Sequence, residues 1–217
     1  MTIRIFLADD HAVVRQGLRA LLDADPEIEV VGESADGRDA VRQVKQLKPD
    51  VTILDVAMPE LNGIEAALKI HEIDPGIGIV VLSMYSTREH VVRALRAGAS
   101  GYLLKESAVV EVIDAVREVS RGRKYLSAKL TEELGDGFLQ TENAASIATP
   151  LERLSGRERE ILQLVAEGKT SAEIGRDLFI SPKTVDTYRS RLMAKIGVED
   201  VAGLVRFAMQ HGIVSGG

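Results

Sequence analysis

Five polar residues stand where short apolar runs of the sequence end. They are Asp9, Asp10, Asp55, Ser83 and Lys105, which end or follow the runs near 3–8, 51–54, 79–83 and 101–104. Carboxylates are the ligands that Mg²⁺ prefers, and a carboxylate can also attack phosphorus to form an acyl phosphate. A Lys amine and a Ser hydroxyl can contact phosphoryl oxygens. The set predicts a Mg²⁺-dependent phosphorylation site with Asp55 as the acceptor.

These residues need a scaffold that brings the ends of separate strands together. Strand-like runs alternate with amphipathic helical patterns: the runs lie at 3–8, 28–32, 51–54, 79–83 and 101–104, the helices near 12–23, 38–47, 64–73, 87–97 and 108–120. Continuous Val/Ile/Leu runs are typical of buried parallel strands, so the pattern predicts an α/β fold with a five-stranded, doubly wound parallel sheet. Active sites in such sheets lie at the carboxyl ends of the strands. We therefore expect the five polar residues on one rim.

Each of these residues also has an ordinary structural explanation. Asp10 could cap the helix that begins near Ala12, and Lys105 could be a solvated surface residue. His11, beside the acidic pair, is interpreted as a turn residue and not as a ligand. The joint occurrence at four strand ends, in this order along the chain, favours the phosphorylation site.

Motifs spread over residues 1–121 resemble one known family. They are Asp9-Asp10, Leu54-Asp55 followed by Met58-Pro59 and Gly63, Ser83, and Tyr102 three residues before Lys105. This set resembles the receiver domain of response regulators, whose fold is flavodoxin-like. The resemblance implies that a sensor histidine kinase transfers a phosphoryl group to Asp55. It also implies that Asp10, Asp55 and the main-chain carbonyl of Ala57 bind Mg²⁺, with Asp9 alongside.

The same resemblance assigns a switch to Ser83 and Tyr102. It implies that the Ser83 hydroxyl moves to the phosphoryl group while the Tyr102 ring turns inward. The plain alternative for Tyr102 is a half-buried strand aromatic. Ala57 and Tyr85 occupy positions that tune the phosphoryl lifetime in the family. Phosphorylation adds about −1.5 to −2 charge and three acceptor oxygens, enough to change which surface arrangement is populated.

The rest of the chain divides into a linker and a small helical domain. Residues 122–149 are interpreted as a linker, with a short helix from Ala128 to Leu134 and a small, polar second half. Residues 150–217 predict an all-α domain of four helices. Capping boxes are expected at 86–89, 155–158 and 170–173, and an N-cap followed by Pro at Ser181-Pro182.

The segment 170–197 has the spacing of a helix-turn-helix whose second helix begins at Pro182. Val185, Leu192 and Ile196 share the core face of that helix. The outer face carries no large apolar residue, and four basic residues lie between Ser181 and Lys195 against one acid. We predict DNA contacts from this face and its flanks, at Lys183, Thr184, Asp186, Thr187, Ser190, Arg191 and Lys195.

The candidate contacts differ in what they would recognise. Arg191 suits a guanine edge or a phosphate, and Asp186 suits a cytosine amino group or repels phosphate. Arg189 lies at the edge of the core face, from which its guanidinium could reach a phosphate. An ordinary amphipathic helix with a solvated charged face is the alternative.

A second resemblance covers this region. It rests on Leu154 to Glu160, Ala166 to Thr170, Glu173-Ile174 and Ile180 to Val185. These motifs resemble the LuxR-type helix-turn-helix, and together with the receiver the chain is similar to NarL/FixJ-type response regulators. The resemblance implies a transcription regulator that binds double-stranded DNA as a homodimer on activation. RNA polymerase is a further candidate partner.

Composition excludes several classes of function. The 217 residues include no Cys, so a disulfide framework or a Cys-based metal site is impossible. The apolar runs are too short for a membrane span, and no signal peptide is recognisable, so we expect a cytoplasmic protein without a membrane partner. Residues 150–217 carry 10 Lys and Arg against 9 Asp and Glu. The net charge of −6 therefore comes from the rest of the chain.

Two rival functions remain at the level of sequence. A Mg²⁺-dependent phosphatase or hydrolase could use the same nucleophile, although the helix-turn-helix and the absence of a substrate-specificity insertion argue against an enzyme. Alternatively, the helix-turn-helix could bind a protein. Salt-sensitive duplex binding would favour DNA, because phosphate contacts release counterions.

Overall fold

The chain forms two compact units, Met1–Asn143 and Ala144–Gly217, which are described separately. The structure, a computed structural model, describes residues 2–135, 138, 150–151 and 153–214. The polar stretch around 140–146 that we interpret as linker lies outside these residues. Among the described residues, no helix has both the length and the apolarity that crossing a membrane requires.

The first unit is built on a wholly parallel sheet. Its strand order is β2-β1-β3-β4-β5-β6, and the strands are β1 (Ile3–Ala8), β2 (Ile28–Ser34), β3 (Val51–Asp55), β4 (Gly78–Ser83), β5 (Gly101–Leu104) and β6 (Tyr125–Leu126). The five long connections carry α1 (Ala12–Asp23), α2 (Gly37–Leu47), α3 (Gly63–Ile73), α4 (Arg88–Arg96) and α5 (Ala108–Ser120). The predicted doubly wound parallel fold is confirmed.

Apolar side chains fill both faces of this sheet. One core cluster joins the sheet to α1 and α5 through residues such as Leu22 and Val116, and the other joins it to α2, α3 and α4 through residues such as Val44 and Val91. The strands read as uninterrupted apolar runs because both of their faces are covered. Covering both faces also leaves the carboxyl rim as the open edge where polar side chains collect.

The sheet has a sixth strand that the five-strand prediction missed. β6 pairs in parallel with β5, with Tyr125 opposite Gly101 and Leu126 opposite Tyr102. A helix, α6 (Ala128–Leu134), follows, and its Leu130 is buried in the cluster that contains Tyr102. Two residues are too few to show a period of alternation, so no strand signal was present. The first part of the predicted linker thus packs on the sheet.

One of the three predicted capping boxes is wrong. The residue that caps α4 is Thr87, not Ser86, and its side chain makes no capping hydrogen bond. The Thr87 hydroxyl lies instead 2.7 Å from Nδ1 of His90. Thr and Ser are adjacent here and both favour the N-cap position, so spacing alone cannot choose between them.

The second unit is the predicted group of four helices. They are α7 (Gly156–Ala166), α8 (Ser171–Leu178), α9 (Pro182–Ile196) and α10 (Val201–Gln210). The capping boxes at Ser155–Glu158 and Thr170–Glu173 are both formed, and the Ser181 side chain accepts from the Thr184 amide ahead of α9. These caps satisfy donors that the first turn of each helix leaves unpaired.

Candidate functional sites

The carboxyl rim of the sheet brings the predicted residues together. Nζ of Lys105 lies 2.9 Å from a carboxylate oxygen of Asp9 and 2.8 Å from one of Asp55. Asp9 is fully buried and Asp55 nearly so, whereas Lys105 is partly exposed. A single ammonium therefore neutralises two buried carboxylates at the centre of the rim.

A potential metal-binding cluster lies beside this ion pair. Ligand atoms of Asp9, Asp10, His11 and Asp55 all lie within 4.8 Å of one another. The three carboxylates of this cluster suit Mg²⁺, which usually keeps several waters as further ligands, whereas the His11 nitrogen is not a ligand that Mg²⁺ prefers. Ala57 follows β3 by two residues and is half-buried. The donor set therefore fits the ion that receiver domains generally bind.

His11 is closer to the cluster than the sequence suggested. Its Nδ1 lies 2.7 Å from an Asp10 carboxylate oxygen, and its main-chain N–H donates to Asp9 at 2.8 Å. His11 is also the N-cap residue of α1 and makes no side-chain capping bond. Asp10 thus does not cap α1, and the plain explanation for Asp10 is wrong. The sequence signal for His11 was its position directly after the acidic pair.

Gly63 shows how tightly the chain packs behind Asp55 at the end of β3. A Cβ built on Gly63 would overlap the main-chain carbonyl of Asp55. The Asn62 side chain before it accepts from the amides of Ile64 and Glu65 and caps α3. Only glycine allows α3 to begin so close to the end of β3. This packing fixes the main chain at Asp55.

Ser83 and Tyr102 both contact one loop residue, Tyr85. The Tyr85 amide donates to the Ser83 hydroxyl at 3.0 Å, and the Tyr102 hydroxyl donates to the Tyr85 carbonyl at 2.8 Å. Tyr102 is 0% exposed, so it is a fully buried strand aromatic and not a half-buried one, and its role in a switch stays a prediction. The Tyr85 ring stacks on His90, with centroids 4.5 Å apart. The two candidate switch residues are therefore connected through the β4–α4 loop.

Burial dominates the electrostatics of the rim. It raises the pKa of Asp55 to about 6, assisted by the negative charge of Asp9 and opposed by Lys105. Burial lowers the pKa of Lys105, but the Asp55 and Asp9 carboxylates outweigh it, so that pKa is raised overall. Burial also raises the pKa of Tyr102 to about 12. The ammonium is thus firmly charged, while the Asp55 carboxylate carries a cost of burial that Lys105 only partly offsets.

We expect Asp55→Asn to stabilise the metal-free chain by about 1–3 kcal/mol at pH 7.5. Above pH 6 the folded wild type bears the full cost of the buried carboxylate. As the pH falls from about 6 toward the ordinary value near 3.8, the folded state takes up a proton that the unfolded state does not, so wild-type stability rises. Urea unfolding in EDTA at several pH values measures the difference, which should shrink with falling pH. A difference that stays constant from pH 7.5 to 5 would contradict it.

The helix-turn-helix presents all of the predicted DNA contacts to solvent. Val185 and Leu192 are fully buried, and Ile196 packs against the same core. All seven predicted contact residues are exposed: Lys183, Thr184, Asp186, Thr187, Ser190, Arg191 and Lys195. The core face and the outer face of α9 are therefore as the helical wheel predicts.

Two of the exposed residues, Lys195 and Asp186, already bond to side chains of other helices. Nζ of Lys195 lies 2.7 Å from a carboxylate oxygen of Glu158, which also accepts from the Ser155 amide in the capping box. The Ser171 hydroxyl donates to Asp186 at 2.6 Å and accepts from Arg189 at 3.1 Å. Arg189 points to α8 and not outward. These pairs connect α9 to α7 and α8.

Comparison with known proteins agrees with both halves of this geometry. The response regulator receiver domain model matches residues 5–117, and the model of bacterial regulatory proteins of the luxR family matches residues 152–208. The transcriptional regulatory protein LiaR of Bacillus subtilis is 40% identical over 98% of this chain and 100% of its own length. The chain belongs to the two-component response regulators.

Further relatives of this response regulator extend over both units. The oxygen regulatory protein NreC of Staphylococcus epidermidis is 39% identical over 96% of this chain and 97% of its own length. The structure of RcsB from Salmonella enterica serovar Typhimurium, bound to promoter P1flhDC in the presence of phosphomimetic BeF3-, matches with a TM-score of 0.64 and 27% identity, covering 97% of this chain and 100% of that one. LiaR is by name a transcriptional regulatory protein, and both family models are of regulatory proteins, so the hydrolase alternative is set aside.

Proposed function

We propose that this response regulator accepts a phosphoryl group on Asp55 from a sensor histidine kinase. The observation that carries the proposal is the pair of contacts from the Lys105 ammonium to the buried carboxylates of Asp9 and Asp55. A carboxylate oxygen of Asp55 attacks phosphorus, the bond from phosphorus to the kinase histidine breaks, and that nitrogen keeps the electron pair. Lys105 is placed to neutralise phosphoryl oxygens, and Ser83 to hydrogen-bond one.

Mg²⁺ is proposed as the cofactor of this transfer. Asp9, Asp10, Asp55 and the main-chain carbonyl of Ala57 would hold it, and the cluster of carboxylate ligand atoms supports the first three. When bound, the ion neutralises charge on the transferring phosphoryl group. The protein's own contribution is to position the Asp55 carboxylate and to supply the Lys105 charge.

Tyr102 and Ser83 form the proposed switch. Because both bond to Tyr85, a change of the Ser83 rotamer that carries its oxygen toward a phosphoryl group would break the bond from the Tyr85 amide. The Tyr102 hydroxyl holds the carbonyl of the same residue. Phosphorylation at Asp55 would therefore change the contacts of Tyr102 and the surface formed by α4, β5 and α5.

The output proposed for the switch is DNA binding by a homodimer. Lys183 and Thr184 at the start of α9 suit phosphate contacts, and Asp186, Thr187, Ser190 and Arg191 suit base edges. Lys195 would leave Glu158 to reach a phosphate. Paired half-sites follow from a two-fold dimer, and RNA polymerase is the further proposed partner. The proposed location is the cytoplasm, where genomic DNA and the kinase's phosphoryl donor would both be available.

Selection of bound fragments from a genomic DNA library tests both halves of the proposal. The chain is used with and without a small-molecule phosphodonor and Mg²⁺, and Asp55→Ala is the control. Enrichment of paired half-sites that grows with phosphodonor in the wild type alone is expected. Enrichment that ignores the phosphodonor would remove the switch and keep DNA binding. Absence of enrichment in every condition would overturn the DNA-binding half and favour a protein partner.

A further inference from the structure

The segment that follows α5 is bonded to the strand that carries the switch tyrosine. β6 pairs with β5 so that Leu126 lies opposite Tyr102. The next amide, that of Ser127, donates to the Tyr102 carbonyl at 3.0 Å. This segment lies beyond residues 5–117, which match the receiver family. It also leads along the chain toward the DNA-binding unit.

Ser127 makes a buried polar contact with the end of β5. It is 0% exposed, and its hydroxyl accepts from the Leu104 amide at 2.9 Å. The hydroxyl also lies 3.1 Å from that of Ser107, which donates its own proton to the Leu104 carbonyl at 3.2 Å. A hydroxyl has one proton, so Ser127 is the donor to Ser107. Ser127 thereby closes a network around the corner between β5 and α5.

That corner carries the phosphoryl-site lysine. Two consecutive amides are held from opposite sides: Leu104 donates to Ser127, and Lys105 donates to the Ser83 carbonyl at 2.8 Å. The Lys105 side chain leaves from this clamped main chain to contact Asp55. Loss of either of these two hydrogen bonds would therefore shift the Lys105 ammonium.

The helix after Ser127 is fixed to the same face. Glu111 of α5 accepts from the Ala128 amide at 3.2 Å, and Lys129 pairs with Glu106 at 2.8 Å. Leu130 is 0% exposed and belongs to the core cluster that contains Tyr102. Of these contacts only Leu130 is buried, and its packing has few alternative arrangements, so a shift at β5 would be passed to α6 mainly through Leu130.

We propose that Ser127 is a positioning residue that couples the phosphorylation site to the chain leading to the DNA-binding unit. The proposal rests on the proposed phosphorylation of Asp55. Ser127 touches neither the phosphoryl group nor the metal; it acts through the main chain of Leu104 and, one residue on, Lys105. By reciprocity, a segment that senses occupancy of the site must also alter the affinity of the site.

Binding of beryllofluoride, a phosphoryl mimic, tests the coupling without turnover. Calorimetric titration of the full chain with beryllofluoride and Mg²⁺ should show an affinity about fivefold or more weaker for Ser127→Ala than for wild type. Ser107→Ala, which removes the acceptor of the Ser127 hydroxyl but leaves the Leu104 amide paired, is the second variant and should weaken binding less than Ser127→Ala does. Ser120→Ala is the matched control, because the exposed Ser120 hydroxyl bonds only to Arg117 within α5 among the described residues.

Hydrogen exchange supplies the reciprocal measurement. Beryllofluoride should change the exchange of the Leu104 amide and of residues 125–134 in the wild type, with no change in Asp55→Ala. If Ser127 had only a structural role, Ser127→Ala would lower the unfolding temperature but leave the beryllofluoride affinity and this exchange response unaltered. That result would overturn the proposal. Wild-type chain that binds no beryllofluoride would overturn the proposed phosphorylation itself, so the two failures are distinguishable.

Discussion

Replacing Lys105 by Met is expected to destabilise the metal-free chain by about 3–5 kcal/mol, as does removal of one partner from a buried ion pair. The Lys105 side chain is only 12% exposed, and its ammonium contacts both Asp9 and Asp55. Met keeps the length of the apolar stem and removes the charge. Two buried carboxylates then face each other without a cation, and the folded state bears their repulsion. Urea unfolding in EDTA, followed by circular dichroism, measures the loss.

Two further variants and the addition of Mg²⁺ separate this electrostatic effect from a general loss of packing. Lys129→Met removes an exposed pair with Glu106, at 2.8 Å, and should cost under about 1 kcal/mol. Adding Asp55→Asn to Lys105→Met should restore much of the loss, since one of the two carboxylates is gone. Mg²⁺ should restore stability as well, because it binds only the folded site. A Lys105→Met chain no less stable than Lys129→Met would contradict the electrostatic account.

The rim residues could be predicted because strand ends are strongly specified by sequence. Asp9, Asp55 and Ser83 each end a run of apolar residues, and burial of both sheet faces leaves such runs few alternatives. Parallel topology then puts the ends of all the runs at the same edge. Knowing the strands was therefore sufficient to predict that Lys105 would lie on the same rim as Asp9 and Asp55, although the ion pairs themselves were not predicted.

The features that sequence did not reveal depend on single long-range contacts. β6 consists of two residues, and what makes it a strand is the free edge of β5 beside it. Lys195 was expected to face DNA, but Glu158, 37 residues earlier, holds its ammonium. The Ser127 hydroxyl reaches Leu104 across 23 residues. No local period or propensity encodes such pairs, because each depends on two elements that have already packed.

The acid on the recognition helix α9 is held in place before any DNA arrives. The Asp186 side chain is 64% exposed, yet one carboxylate oxygen accepts from Ser171, at 2.6 Å, in the first turn of α8. Arg189 donates to the same hydroxyl at 3.1 Å. A fixed carboxylate loses less side-chain entropy when it binds than a freely rotating one. It also puts a negative charge on a surface proposed to approach phosphates.

We expect Asp186→Ala to lose base preference at one position of each half-site, because Asp pairs best with the cytosine amino group. Discrimination at that position should fall by about 1–3 kcal/mol, and affinity for other sequences should rise or stay unchanged as the phosphate-repelling charge disappears. Sequencing of fragments selected by the variant and the wild type at one salt concentration measures both effects. Ser171→Ala should give an intermediate loss, since the carboxylate remains but is no longer oriented.

Lys183→Ala is the matched control, because a phosphate contact carries no sequence information. It should weaken binding to all sequences about equally and reduce the slope of log affinity against log salt by about one. An Asp186→Ala chain with an unchanged motif and higher affinity throughout would show that Asp186 acts only by repelling phosphate. In that case Ser171 and Arg189 keep the acid at the surface to limit binding to non-operator DNA, and specificity at this position comes from elsewhere on α9.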